Sequence, residues 1–242
     1  MSNRKNHELK LDRAKEHLEA LKEEMTAFRN SQPIKLSREE DEKRGLYRVR
    51  FEVKEPSWRT ALIVGDFAYC LRSSLDQLAW QMALLNTKKR PGYQTCFPIF
   101  GEESPKFFKC VEGIPQSAVA IIRTLQPYVD TKGHTTNLLW KLHKLCIIDK
   151  HQRIAVHSHA ADINFPHFPR QFAGLVQSDP AGPTVTVPLF LKPHMQHDPI
   201  AGINIVFGDT NIDFAVTVAE LSQMLDLIGS DILPRFESFL RP

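Results

Sequence analysis

The sequence predicts an α+β protein, a helical bundle of four to five helices with a small antiparallel sheet. Three observations lead to this class. Apolar residues recur every three or four positions in several long segments, as they do in amphipathic helices. Residues 47–53 alternate apolar and charged side chains, as a half-buried strand does. After residue 154 the chain becomes rich in proline and in short β-branched runs, which is typical of short strands joined by loops.

The pattern divides the chain into elements and two segments. Helices are predicted over residues 8–29, 57–86, 117–128, 137–148 and 218–240, and strands over 47–53, 154–159, 184–191 and 202–207. Residues 31–43 are expected to be a connection with one helical turn, capped by Ser37 and Glu40, and Gly208–Asp209 a turn. Residues 1–153 would form a helical core with one early strand. Residues 154–242 would be strand-rich and end in a long helix that packs back on the bundle, all within one compact domain.

Composition is that of an ordinary globular protein. The 242 residues are 42% hydrophobic and 24% charged, with a net charge of +3, so charge alone does not indicate a nucleic-acid binder. The four cysteines show no C-x-x-C spacing, which favours buried free thiols in a reducing cytosol. Neither an apolar N-terminal segment nor a run of about 18 apolar residues occurs, so we expect a cytoplasmic protein with no membrane partner.

The long helix predicted over residues 57–86 is the segment around which the other elements are organised. One broad face is apolar and would enter the core: Ile63, Val64, Phe67, Leu71, Leu75, Leu78, Met82 and Leu85. The other face combines charged groups with large aromatic residues: Asp66, Tyr69, Arg72, Ser73, Asp76, Gln77 and Trp80. Arg72 and Asp76 are one turn apart and form an i,i+4 pair. A face of this composition is expected to contact another group.

A second candidate segment follows the helix predicted over residues 137–148. The apolar stripe of that helix, extended by one step, reaches Asp149. A carboxylate in this position is either in water just past the helix end or buried beside a cation, for which Arg72 and Arg153 are the candidates. If the two helices pack together, the residues from Arg72 to Gln77 would lie beside Asp149, Lys150, His151 and Arg153. Such a set suits a phosphodiester, because arginine binds phosphate with two hydrogen bonds and histidine transfers protons near neutral pH. The alternative is an ion-paired network that locks two helices together.

Several segments resemble a widespread group of uncharacterised bacterial proteins. GDFAYCLRSSLDQLAW, at residues 65–80, is similar to that group's pattern GD-x-x-x-N-L-R-S-A-L-D-H-L-x-W. LHKLCIIDKHQRI, at residues 142–154, is similar to its pattern L-x-x-I-D-K-H-R. The resemblance is strongest between residues 56 and 153.

The same helix also resembles the R-x-x-x-x-H motif of HEPN domains, helical bundles of which many are metal-independent RNA endonucleases that work as dimers. This resemblance implies that Arg72 holds the scissile phosphate. Gln77 stands where the motif has its histidine, and an amide performs no acid–base chemistry near neutral pH. Ser73 also differs from the Asn, Asp or His that commonly follows the motif's arginine. His151 could replace the histidine only within hydrogen-bond reach of the phosphate.

We therefore expect a HEPN-like protein that binds or cleaves RNA in bacterial defence or stress response. The candidate catalytic residues are Arg72, Asp76, Gln77 and His151, and the candidate binding residues are Tyr69, Asp149, Lys150 and Arg153. RNA and a second copy of the chain are the candidate partners, and no cofactor is predicted. The alternative function is a non-catalytic interaction or scaffold protein in which Arg72, Asp76 and Asp149 form a structural network. A third is a small-molecule module with a pocket between bundle and sheet.

Three other sets of residues carry weaker alternatives. The histidines of the C-terminal half could form a metal site: His157, His159, His194 and His197. His143 and Cys146 are one helical turn apart, for which an inert thiol is favoured over a nucleophile. Tyr69 and Trp80 could stack on bases, contact a second copy, or pack within the chain.

Overall fold

The structure, a computed structural model, describes residues 5–178, 184–209 and 214–241, except for the side chain of His159. Its class is α+β, as predicted. The α-helices of this described part are α1 (Asn6–Asn30), α2 (Trp58–Thr87), α3 (Lys106–Cys110), α4 (Gln116–Thr124), α5 (Leu138–His151) and α6 (Val218–Asp226). They exceed the predicted four to five because α3 is only five residues long, too short for a periodic pattern to reveal. Asn137 caps α5 by accepting hydrogen bonds from two backbone amides.

The strands form two sheets, where the sequence predicted one. They are β1 (Ile34–Asp41), β2 (Leu46–Val53), β3 (Ala155–Asn164), β4 (Gln177–Ser178), β5 (Thr184–Pro188), β6 (Ile200–Asp209) and β7 (Phe214–Thr217). One sheet has the order β1-β2-β5-β4 and the other the order β3-β6-β7. The first sheet and the 3₁₀ segment Leu189–Met195 that follows β5 form a core of their own, with these buried residues: Tyr47, Val49, Phe51, Val185, Val187, Leu191 and Met195. Gly208 and Asp209, predicted as a turn, end β6, and residues 210–213 lie outside the described part.

The connection predicted over residues 31–43 was wrong, because most of it is strand β1. This strand pairs with β2 over its whole length, from Ile34 opposite Val53 to Asp41 opposite Leu46. Its charged residues fit an edge strand, whose outer positions face water and where charge discourages pairing with other chains. Gly45, with a φ of 63°, occupies the hairpin turn. Ser37 and Glu40, predicted to cap a helical turn, are therefore part of a strand that pairs with its neighbour.

The backbone divides into two compact units, each discontinuous in sequence. The first contains the described residues of 1–22, 58–155 and 207–242, and the second those of 23–57 and 156–206. In the first unit α2 supplies much of the core: its predicted apolar face is buried except for Leu85, which is half-buried. Within the described parts of the chain, each helix is too short or too polar to cross a membrane.

The last predicted helix is a continuous helical segment of three types. The capping box predicted at Thr217 and Glu220 is present and begins α6. A π-helical turn follows over Leu227–Ile232, and a 3₁₀ segment over Leu233–Leu240. Pro234 is at the start of the 3₁₀ segment. Since proline has no N–H to donate, one main-chain hydrogen bond is missing at this position, where the bonding changes from π-helical to 3₁₀.

Candidate functional site

The candidate site residues of the first unit lie along α2 and α5, which run antiparallel. Asp149, near the end of α5, lies against Gly65: a β-carbon added to that glycine would be 2.2 Å from Asp149 Oδ1. Earlier in α5, His143 and Cys146 are close enough to Arg72 for its charge to affect their pKa values. Arg72 is seven residues beyond Gly65, which is about 10 Å along a helix axis. The offset between the helices thus separates Arg72 from Asp149.

Arg72 and Asp76 form a clamp on the backbone of Phe97. Arg72 Nη2 lies 2.9 Å from Asp76 Oδ1 and donates a hydrogen bond of 2.6 Å to the carbonyl oxygen of Phe97. Asp76 Oδ1 in turn accepts the Phe97 N–H at 2.9 Å. The pair therefore satisfies both polar groups of one peptide residue. The predicted i,i+4 pair of Arg72 and Asp76 is present. Both side chains bind the backbone of Phe97 and do not face an open cleft.

The clamp is largely enclosed. Only 16% of the Arg72 side chain is exposed, and its Nη1 atom is buried without a hydrogen-bond partner among the described residues. Burial raises the pKa of Asp76, although the neighbouring Arg72 and the Phe97 N–H act in the opposite direction. The Phe97 ring is fully buried and meets the ring of Phe236 edge-on, with centroids 6.3 Å apart. A phosphate group would have to displace a buried peptide to reach Arg72 in this arrangement.

Gln126 holds the other side of the same segment. Its Oε1 accepts the Phe100 N–H at 3.2 Å, and its Nε2 donates to the Pro98 carbonyl oxygen at 2.8 Å. The side chain is almost fully buried. Sequence reasoning missed this residue. It could have been sought, since CFPIF at residues 96–100 is apolar, has no predicted strand partner, and must still satisfy its backbone groups.

The other predicted site residues lie away from the clamp. Asp149, Lys150, His151 and Arg153 are exposed at or just beyond the end of α5. The pKa of Asp149 is raised by partial burial and by the neighbouring carboxylate of Asp66. Asp149 makes no ion pair with Arg72, whose carboxylate partner is Asp76. The structure therefore brings Arg72 and Asp76 together but not the second group of residues. Gln77 is half-buried, and its Oε1 is without a partner in the described part of the chain.

Four large side chains of α2 face solvent and form what we call the α2 ridge: Trp58, Leu62, Tyr69 and Trp80. Their exposed fractions are 69%, 51%, 61% and 38%. At 100° per residue they fall within an arc of about 40°. The ammonium of Lys10 lies 5.2 Å from the centre of the Tyr69 ring. The sequence interpretation included Tyr69 and Trp80 but missed Trp58 and Leu62, because periodicity assigns a residue to a face without showing which neighbours cover it.

The weaker alternatives can also be located. Burial raises the pKa of Cys146 to about 12 and lowers that of His143 to about 4, so neither is charged at neutral pH as a thiolate–imidazolium pair requires. The rings of His167 and His197 are 4.5 Å apart in the second unit. Among the residues that the structure describes, no three His, Cys, Asp or Glu side chains converge as metal ligands. This conclusion does not cover His159, one of the candidates, because its side chain lies outside the described part of the structure.

Comparisons of the chain with protein-family models, with curated proteins and with solved structures found no match. The site must therefore be interpreted from its own geometry.

Proposed function

We propose that this chain is a non-catalytic interaction protein that binds a second copy of itself through the α2 ridge. The exposure of four large side chains along one face of α2 is the observation that supports this. Single exposed apolar residues are common on soluble proteins, whereas several large ones aligned along one face of a helix indicate an interaction surface. Arg72 and Asp76 then have a structural role, because their hydrogen-bonding groups are directed at the Phe97 backbone.

The spacing of the ridge supports a second copy as the partner. Trp58 and Trp80 are each eleven residues from Tyr69, and eleven residues make almost three full helical turns. Two α2 helices that cross antiparallel at Tyr69 would therefore place each Trp58 beside the partner's Trp80. A two-fold interface requires this kind of self-complementary pattern. Tyrosine and tryptophan are also the residues most enriched where such interfaces are strongest.

The exposed area of the ridge fits the centre of such an interface. At about 200 Å² for a whole large side chain, the four exposed fractions amount to about 450 Å² per copy. A standard interface buries about 800 Å² on each partner. Polar groups around the ridge, such as Asp66 and Lys10, would supply the rim. The ridge is thus large enough for the apolar core of a dimer interface of moderate affinity.

Sedimentation at increasing protein concentration tests this proposal. The chain is expected to form a dimer, and Tyr69→Asp is expected to weaken the dimer at least 100-fold, because the two-fold places both new carboxylates at the centre of the contact. Tyr93→Asp is the matched control: Tyr93 is fully exposed but lies in the loop after α2. It should leave the dimer intact. A monomer at all concentrations, or equal dimerisation of the Tyr69 variant, would contradict the proposal.

RNA binding is the second candidate function. Its supporting observation is the Lys10 ammonium above the exposed ring of Tyr69, since an aromatic face beside a cation can stack a base near its phosphate. Asp66 and Asp149 lie close to one another near this surface and would repel phosphate. The geometry therefore favours a protein partner. Fluorescence anisotropy with a labelled RNA panel distinguishes the two, because only RNA binding predicts saturable binding that Tyr69→Ala abolishes.

A further inference from the structure

Two of the four cysteines lie next to each other beside the Phe97 clamp. Cys96 immediately precedes Phe97, and Cys110 ends α3. The backbone N–H of Cys96 donates to the carbonyl oxygen of Cys110 at 3.1 Å, and the two side chains are also hydrogen-bonded to each other. Both are half-buried, and both are free thiols in the structure. A backbone hydrogen bond of this kind brings the two residues near the Cα separation of about 4.4–6.8 Å that a disulfide requires.

The surroundings give the two sulfurs different acidities. The hydrogen bond from Cys96, assisted by the charge of Arg72, lowers the pKa of Cys110 to about 7, although partial burial opposes this. The same hydrogen bond and burial raise the pKa of Cys96. Burial raises the pKa of Cys70, and it raises that of Cys146 to about 12. The contact between the two thiols thus makes Cys110 the more acidic of the pair and Cys96 the less acidic.

We propose that Cys96 and Cys110 are a peroxide-responsive pair that closes a reversible disulfide over the Phe97 segment. The thiolate of Cys110 attacks one oxygen of a hydroperoxide, so an S–O bond forms, the O–O bond breaks, and hydroxide or alkoxide leaves. The sulfur of Cys96 then attacks the sulfenic sulfur, and hydroxide leaves with the proton of Cys96 as water. The two thiols lose two electrons and the peroxide gains them. With hydrogen peroxide the only other product is water.

The division of roles follows from the geometry. Cys110 is near the guanidinium of Arg72, whose positive charge favours the attacking thiolate, and Cys96 is in contact with it as the resolving thiol. The disulfide would close a loop that includes the peptide held by Arg72 and Asp76. Oxidation therefore adds a covalent link where the reduced chain depends on side-chain hydrogen bonds. The inference is independent of self-association through the α2 ridge.

Peptide mapping of the full chain after a short pulse of hydrogen peroxide tests the proposal. Lys106 and Lys109 lie between the two cysteines, so trypsin places them on separate peptides, 90–106 and 110–123, unless a disulfide joins them. We expect the joined peptide, a mass loss of about 2 Da, and full reversal by dithiothreitol. The melting temperature of the oxidised chain should rise by about 5 °C. Cys70→Ser/Cys146→Ser is the matched control and should oxidise like the unaltered chain.

Alkylation of the unaltered chain supplies a second measurement that needs no variant to fold. The reaction of Cys110 with iodoacetamide should increase with pH with a midpoint near 7, while Cys146 stays unreactive in the native protein. Cys96→Ser should trap Cys110 as a sulfenic acid, detectable with dimedone. The proposal is overturned if peroxide oxidises Cys70 or Cys146 as readily as Cys110, or if no 96–110 disulfide forms while Cys110 is oxidised.

Discussion

Arg72 shows how one side chain can satisfy a functional motif in sequence and a structural need in the fold. Its guanidinium bonds to Asp76 and to the Phe97 carbonyl oxygen, and Asp76 accepts the Phe97 N–H. A peptide buried outside regular secondary structure needs such partners, because each unsatisfied polar group costs about 1–3 kcal/mol. The arginine of a phosphate-binding motif would need the same donors. In this chain the carbonyl oxygen of Phe97 already occupies the Nη2 donor.

Arg72→Ala is expected to lower the stability of the fold by about 2–3 kcal/mol. The change leaves the Asp76 carboxylate and the Phe97 carbonyl oxygen partly buried without their cation. In a chain of this size the melting temperature should fall by roughly 5–10 °C. Arg235→Ala is the matched control, because Arg235 forms an i,i+4 pair with Asp231 on the exposed surface. That change should cost less than about 1 kcal/mol.

The same variant separates the structural role from the predicted RNA chemistry. If Arg72 held a scissile phosphate, Arg72→Ala would stay folded and lose cleavage or binding of RNA. Under the structural role, circular dichroism shows the loss in stability, and any RNA binding by the unaltered chain persists below the melting temperature. A variant as stable as the control would show that the clamp contributes little.

At the scale of elements, periodicity in the sequence predicted much of the buried face of α2 but not its offset from α5. Seven of the eight residues of the predicted apolar face of α2 are buried, because that face follows the 3.6-residue period of the helix. The expected pair of Arg72 with Asp149 depends on how far one helix slides along the other. Gly65 sets this offset, since its missing side chain leaves space for Asp149 at a point about 10 Å along the axis of α2 from Arg72. Because glycine destabilises a helix interior, Gly65 was the residue in the sequence that indicated a close contact.

Gly65→Ala tests this contact as one side of a double-mutant cycle with Asp149→Ala. Alanine favours an α-helix over glycine by about 1 kcal/mol, so the change should stabilise α2 by that amount when residue 149 is alanine. With Asp149 present, the new β-carbon would lie within 2.8 Å of three carboxylate atoms, and the gain should vanish or reverse. Urea denaturation measures the four proteins. A coupling energy near zero would mean that Asp149 rotates away freely.

The strand β1 illustrates a different limit of sequence interpretation. Its eight residues include three exposed charged residues in succession, Arg38, Glu39 and Glu40, which resemble a connection when considered alone. What makes them a strand is the register with β2, from Ile34 to Asp41. Part of that pairing is electrostatic, since Arg48 of β2 lies 3.3 Å from Asp41 and 3.9 Å from Glu39. Strand pairing depends on two segments, so the local sequence of β1 alone does not predict it.

At the scale of the whole molecule, burial lowers the pKa of three histidines, two in α1 and one in α5. Burial lowers the pKa of His7 and of His17 in α1, and it lowers that of His143 in α5 to about 4, with the charges of Arg72 and Lys144 adding to the effect. The unfolded chain accepts protons on these histidines below about pH 6.5. The folded chain accepts them only at lower pH. Protonation therefore favours the unfolded state over this interval.

The free energy of unfolding is accordingly expected to fall as the pH decreases from about 6.5 towards 4. His143 alone should account for about 2 kcal/mol of the loss by pH 4.5, after allowance for its partial exposure. Urea denaturation between pH 7.5 and 4.5 measures this. His143→Phe, which keeps an aromatic ring beside Trp140, should flatten the profile. His151→Gln is the control, because His151 is exposed, and it should leave the profile unchanged. An equal slope in the His143 variant would exclude His143 as the cause.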